Sequence, residues 1–261
     1  MPLRSFQYLD DVLVRQFLAQ LEGGTYDEED LSEKTGGTRG GEISAKAGPL
    51  SGRGSRESIA EQEISRRIKQ TPESEYDRFE KLLDERNELQ WIEVLDDDIF
   101  GSLRRGEALS IESDLKVPSL FRLMDMAESA APFLDLMQSL GESVDAETAA
   151  AIGGLGHLQG MMQRLPVVAH ASGTPRFKFI CPLKRGFLRE DIGSIDGDCI
   201  VIATVLRRLK PSEKYSVLDE FGFNAMSRDD RRKWVRDTKK DMPDGVVSAP
   251  AALVTPVAIY R

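Results

Sequence analysis

Residues 22–60 form a polar, glycine-studded stretch inside a chain otherwise patterned for folding. It opens EGGTYDEEDLSEKTGGTRGGE and continues ISAKAGPLSGRGSRESIA. Compact domains rarely carry connections beyond about 12–15 residues without structure of their own; those that exist are functional or disordered. Ile43 and Leu50 are too few to build a core there. The charges divide into two blocks. Glu22, Asp27, Glu28, Glu29, Asp30 and Glu33 come without a base, and then Lys34, Arg39, Lys46, Arg53 and Arg56 face Glu42 alone. Such blocks can close on each other or on a partner, although exposed ion pairs contribute only about 0–1 kcal/mol each. We expect a loop that orders on a partner, which lowers affinity but permits a large contact surface. A solvated loop is the plainer alternative.

The flanking sequence has the means to fold unaided. At 261 residues, with 40% hydrophobic and 30% charged residues, a chain buries roughly 70–75% of its unfolded surface and needs no metal or disulfide staple. The formal charge of −9 argues against a global attraction to nucleic acid or anionic membrane, though not against a local basic face. Cys181 and Cys199 are too few for a disulfide framework and suit a reducing compartment. They read as small buried apolar residues that can meet across neighbouring strands. Asp10 and Asp11 interrupt the N-terminal apolar run, so no signal peptide is expected. No stretch of 18 apolar residues spans a bilayer. The expected location is cytoplasmic.

Local patterning gives the elements. A short strand is expected over Ser5–Leu9. Asp10 then caps a helix with Leu13, Phe17, Leu18 and Leu21 on one face, stopped by Gly23-Gly24. Thr71-Pro72 opens a second helix through Tyr76, Phe79, Leu82 and Leu83, with Glu73 and Glu75 at its positive end. Trp91, Ile92, Val94 and Leu95 read as a buried strand. Asp96-Asp97-Asp98 reads as a turn or cap, because it lacks the alternating ligands of a calcium loop. Ala108–Val117 suits a strand with one wet face. After Pro118 two helical stretches follow, Ser119–Leu140, which Pro132 should kink or split, and Ala146–Leu165. Gly156 and Gly160 permit close helix approach, as in a soluble hairpin. Val167–Ala171, Phe177–Leu183 and Cys199–Leu206 are candidate strands. A short helix is expected over Ser227–Lys240. Leu253–Tyr260, with Pro256 inside it, reads as an edge strand or a strand start.

The chemistry-bearing motifs are sparse. Gly101-Ser-Leu-Arg-Arg-Gly106 has the glycine spacing of a phosphate loop, but Glu107 and Ala108 stand where lysine and Ser/Thr are needed. His157 and His170 cannot make a three-histidine metal site, and no paired-ligand spacing brings cysteine and histidine together. No cofactor is expected, and no catalytic or metal residue is singled out. Double arginines recur at Arg66-Arg67, Arg104-Arg105, Arg207-Arg208 and Arg231-Arg232. The densest cationic element is 228–240. On a helix, Arg228, Arg232, Arg236 and Lys240 make a one-sided row at spacing four that could neutralise phosphates. A solvated face with ion pairs to Asp229 and Asp237 is the alternative.

Three stretches carry a resemblance: Tyr8-Leu9-Asp10 with Leu18-Ala19-Gln20-Leu21-Glu22-Gly23-Gly24, Thr71-Pro72-Glu73, and Pro256-Val-Ala-Ile-Tyr-Arg261. Together they resemble an uncharacterised bacterial cytosolic family, a domain of unknown function of about this length. The resemblance implies a bacterial cytosolic protein and no activity.

The expectation is thus an α+β protein with mostly antiparallel strands and a helical hairpin inserted mid-chain. Its portions are 1–117 with the polar loop, the hairpin 118–165, and 166–261, joined in one compact unit. The expected function is non-enzymatic binding or regulation of an unknown protein partner through 22–60. One alternative is a nucleic-acid-associated factor using 228–240. Another is an enzyme with a carboxylate-based site. No membrane association is expected.

Overall fold

The computed structural model describes residues 3–23, 71–140, 145–217 and 245–261. Five strands close on themselves. They are β3 (Ala108–Lys116), β4 (Arg164–Ala171), β5 (Lys178–Lys184), β6 (Gly197–Arg208) and β9 (Ala251–Tyr260). Neighbours run β3-β4-β5-β9-β6 and return to β3. The β5–β9 pair is parallel (Lys178 opposite Ala251) and the other four ring pairs are antiparallel. This is the strand order of the Greek-key OB-type barrel, in which the third and fifth strands run parallel.

Alternation fills the inside. Leu109, Ile111 and Leu115 from β3 meet Val167 and Ala169 from β4, Phe179, Cys181 and Leu183 from β5, and Val201, Ala203 and Val205 from β6. All are buried, as expected of a small barrel packed with side chains rather than hollow. Burying a residue such as Phe179 contributes about 1.5–3 kcal/mol of transfer free energy.

Two strands extend the barrel where its walls splay. β2 (Leu89–Ile92) runs parallel to the first half of β3, and β1 (Phe6–Leu9) runs antiparallel to the end of β9. Their outer face is covered by α1 (Asp11–Glu22) and α2 (Pro72–Glu85). Val14, Leu18, Tyr76, Phe79 and Leu83 pack there on Ile202, Ala258 and Tyr260. The caps are those the sequence demands. Asp10 accepts from the Leu13 amide, Gly23 closes α1 at φ +76°, and Thr71 with Ser74 forms a reciprocal capping box. Asp96 caps α3 (Asp97–Ser102) through the Ile99 amide.

The connection between β3 and β4 is the expected helical hairpin, α4 (Ser119–Ser139) and α5 (Ala146–Met161). Pro132 sits inside an unbroken α4. The connection from β6 to β9 includes a two-stranded ribbon, β7 (Lys214–Ser216) with β8 (Val246–Ser248).

Several expectations are corrected. The arrangement of helices with strands holds, but the expected mostly antiparallel pairing gives way to a closed, mixed barrel with parallel pairs at β5–β9 and β2–β3. β9 is no edge strand: β6 lies on one side and β5, then β1, on the other. Pro256 is tolerated because it lies opposite Ala203, where the β6–β9 register shifts. The second hairpin helix ends at Met161 and Leu165 is already in β4. Trp91 and Val94 are exposed rather than buried. Cys181 and Cys199 are buried and free, but β9 separates their strands. Burial raises both thiols, Cys199 to about 12, so neither is a nucleophile at neutral pH.

Candidate anion-binding cleft

One end of the barrel gathers cations. Three separate chain segments supply them, each held by backbone hydrogen bonds. The turn after α3 carries Arg104-Arg105. Gly106, at φ +88°, lets it fold back so that its amide reaches the Val205 carbonyl at 2.8 Å, and the Val205 amide reaches the Glu107 carbonyl at 2.9 Å. The Arg104 amide donates to the Glu107 carboxylate at 2.8 Å. The end of β6 carries Arg207-Arg208, followed by Lys210, and is pinned by the Leu209 amide on the Ala251 carbonyl at 2.8 Å. The β4–β5 turn carries Arg176, whose guanidinium stacks 4.5 Å from the Phe177 ring centre.

These residues line an open cleft of 1270 Å³. Its floor is apolar: Phe100, Leu103, Leu206, Leu209, Pro250 and Leu253. Phe100 is fixed by stacking on Phe177 at 5.0 Å. Among the described residues its charged lining is six bases and one acid: Arg104, Arg105, Arg176, Arg207, Arg208 and Lys210 against Asp97. Asp97 is taken up by Arg176 at 2.8 Å. Arg207 is paired with Glu213 at 2.6 Å. The Lys210 amide and the Arg207 side chain, both hydrogen-bonded to Glu213, hold that carboxyl below its ordinary range. Arg208 donates to the Phe100 carbonyl at 3.2 Å. Among the described residues, Arg104, Arg105 and Arg208 have no acidic partner.

Like charges gathered in this way repel, and the net charge of −9 makes the local excess more pointed. Guanidinium groups present fixed forks that match phosphate and carboxylate oxygens. A cationic rim around an apolar floor suits an anion with a flat or apolar body. Among the described residues, Asp97 is the one carboxylate that lines the cleft, and Arg176 pairs with it. Among the described residues, no three His, Cys, Asp or Glu side chains converge as metal ligands. No helix among them is long and apolar enough to cross a membrane.

Arg228, Arg232, Arg236 and Lys240 lie outside the described residues, as do residues 24–60 of the polar loop. Arg66-Arg67 and Arg231-Arg232 lie outside them too. The other two double arginines are brought together, though 102 residues apart in numbering (Arg105 to Arg207). The stretch rejected as a phosphate loop, 101–106, supplies Arg104 and Arg105 as cleft walls. His170 takes no part in the cleft; its Nδ1 lies 3.2 Å from the Pro175 carbonyl.

No curated protein and no solved structure matches the chain. A family described as a domain of unknown function, DUF6414, matches it over residues 3–260. A match that spans nearly the whole sequence, barrel and hairpin alike, makes this chain a member of the DUF6414 family.

Proposed function

We propose that the protein is a non-enzymatic binding protein whose ligand is single-stranded nucleic acid, held in the basic cleft. The observation that carries this reading is the six-to-one excess of bases over acids, among the described residues, in a cleft with an apolar floor. Phosphates meet the guanidinium groups while bases lie on the floor, the combination that single-strand binders use. The barrel topology supports the same class, since such barrels commonly bind oligonucleotides or oligosaccharides. The outer face of β4 and β5, the usual platform in that fold, is not the site proposed: Pro166, Val168, Ile180 and Pro182 on it are buried. The Arg228–Lys240 row belongs by sequence to the β6–β9 connection, whose two ends, Leu209–Pro211 and Ala249-Pro250, line the cleft. A bacterial cytosolic setting, which the YLD and PVAIYR stretches imply, is part of the same proposal. Capture of a protein by residues 22–60 draws no support from geometry, because residues 24–60 lie outside the described part of the chain.

The test is fluorescence anisotropy of a labelled 12-nucleotide single strand titrated with the full chain. Binding should weaken with salt, with a log–log slope of about −2 to −3 for three or four contacted phosphates. Arg104→Glu with Arg105→Glu should weaken it at least about tenfold, since each lost phosphate contact removes part of the electrostatic attraction. No binding at low salt, or equal binding by the double variant, overturns the proposal.

A further inference from the structure

Helix α4 has two apolar faces, and the fold uses only one. Leu120, Phe121, Met124 and Ala127 are buried against the barrel core and α5. A second row runs Leu123, Met126, Ala130, Phe133, Met137, Leu140. Its spacings are 3, 4, 3, 4 and 3, an uninterrupted heptad a/d pattern whose last residue directly follows the helix. Four of its six residues face outward, Leu123 46% exposed, Met126 68%, Phe133 61% and Leu140 70%, and Ala130 and Met137 are half-buried. A lone amphipathic helix on a soluble protein places polar residues there.

We infer that this seam is a dimer interface, and that its occupant is the same seam of a second copy of the chain, packed antiparallel about a two-fold axis. Self-complementarity carries the choice of partner. A two-fold axis passing between positions 130 and 133 sets Ala130 against Phe133 of the other copy, so the smallest seam residue receives the bulkiest. The same operation sets Met126 against Met137 and Leu123 against Leu140. An isologous interface requires this kind of matching.

Charge agrees. In the same heptad frame the acids of α4, Asp125, Glu128 and Asp135, take c and f positions, away from the seam. The flanking e and g positions are Arg122, Ala127, Ser129, Leu134 and Leu136, with no acid among them. Two copies therefore meet without like charges opposed. Size agrees as well: two seams about 30 Å long bury on the order of 1,000 Å², the lower limit for a specific interface. The inference is independent of the cleft, which lies at the opposite end of β3.

Sedimentation equilibrium of the full chain between 1 and 100 µM is the decisive measurement. The expected result is a dimer, and Phe133→Glu should raise its dissociation constant at least about thirtyfold, as expected when a central seam residue becomes charged. Far-UV dichroism and the urea midpoint show whether that variant stays folded. Orientation is read separately by oxidising Leu123→Cys and Leu140→Cys variants. Mixed, they should form the crosslinked pair; each alone should not. The native thiols are buried and stay silent. A monomer at all concentrations, a dimer untouched by Phe133→Glu, or crosslinking of each cysteine variant with itself overturns the inference. A monomer that floats with phosphatidylcholine vesicles overturns it in favour of a lipid surface.

Discussion

Glu80 is the carboxylate on which both ends of the chain converge. It is buried on α2. Arg4 donates to its Oε2 at 2.6 Å, and the hydroxyls of Tyr76 and Tyr260 donate to its Oε1 at 3.1 and 3.3 Å. The Arg4 guanidinium also lies 4.7 Å over the Tyr260 ring. Burial, with Tyr260 and Glu80 adding to it, pushes the Tyr76 hydroxyl far above its ordinary range, so it remains a donor. Arg4 also pairs with Asp77 at 3.2 Å, so removing Glu80 leaves that charge a partner and costs mainly the acceptor of the two tyrosine hydroxyls, about 1–3 kcal/mol. Glu80→Ala should therefore lower the urea midpoint by the equivalent of about 2 kcal/mol without changing the slope of the transition. Tyr260→Phe removes one neutral donor and should cost about 1 kcal/mol. Equal losses in the two variants would show that the shared carboxylate does not hold this corner. The sequence gives little warning of the cluster, because Arg4, Tyr76, Glu80 and Tyr260 are joined only by the fold.

The helices were the most legible elements, and their starts the most legible part of them. A cap is a local contract: Asp10 with Leu13, Thr71 with Ser74 and Asp96 with Ile99 each act over three residues, so spacing alone reveals them. The start of α4 has a longer-range anchor that spacing does not reveal. Asp196, just before β6, accepts the Val117 amide at 2.7 Å and forms an ion pair with Arg122. It ties the root of the hairpin to the rim of the barrel. Gly197, at φ +113°, opens β6 immediately after it. Asp196→Ala leaves the Val117 amide without its acceptor, a cost of about 1–3 kcal/mol. The loss should appear as faster hydrogen exchange over the first turn of α4, with exchange in β5 and β9 little changed. Uniform acceleration across all strands would instead make Asp196 a determinant of global stability.

At the scale of the molecule, what stayed hidden was closure. Alternation located β3, β4, β5 and β6 within a few residues, but alternation says which face is wet, not which strand lies alongside. The β5–β9 pair joins residues more than seventy positions apart, and nothing in Phe177–Leu183 or Leu253–Tyr260 announces a parallel partner. The cleft was hidden for the same reason, since only closure brings Arg104-Arg105 beside Arg207-Arg208. The barrel and the hairpin also separate physically. The root of α4, through Leu120, Phe121 and Met124, belongs to the barrel core, whereas beyond Met124 none of the described α4 side chains joins that core. Most of what α4 and α5 touch beyond the root is each other. Excising residues 130–150 and closing the gap with a short glycine–serine turn should therefore leave the barrel intact. Leu155, which packs against the core from α5, is retained. The shortened chain should unfold cooperatively within about 1–2 kcal/mol of the parent, the scale of a few lost surface contacts. Its affinity for the single-stranded probe should be unchanged, because the cleft lies at the far end of the barrel, while sedimentation should report a monomer. Loss of cooperative unfolding would mean that the hairpin tip stabilises the barrel. A dimer that survives the excision would place self-association elsewhere.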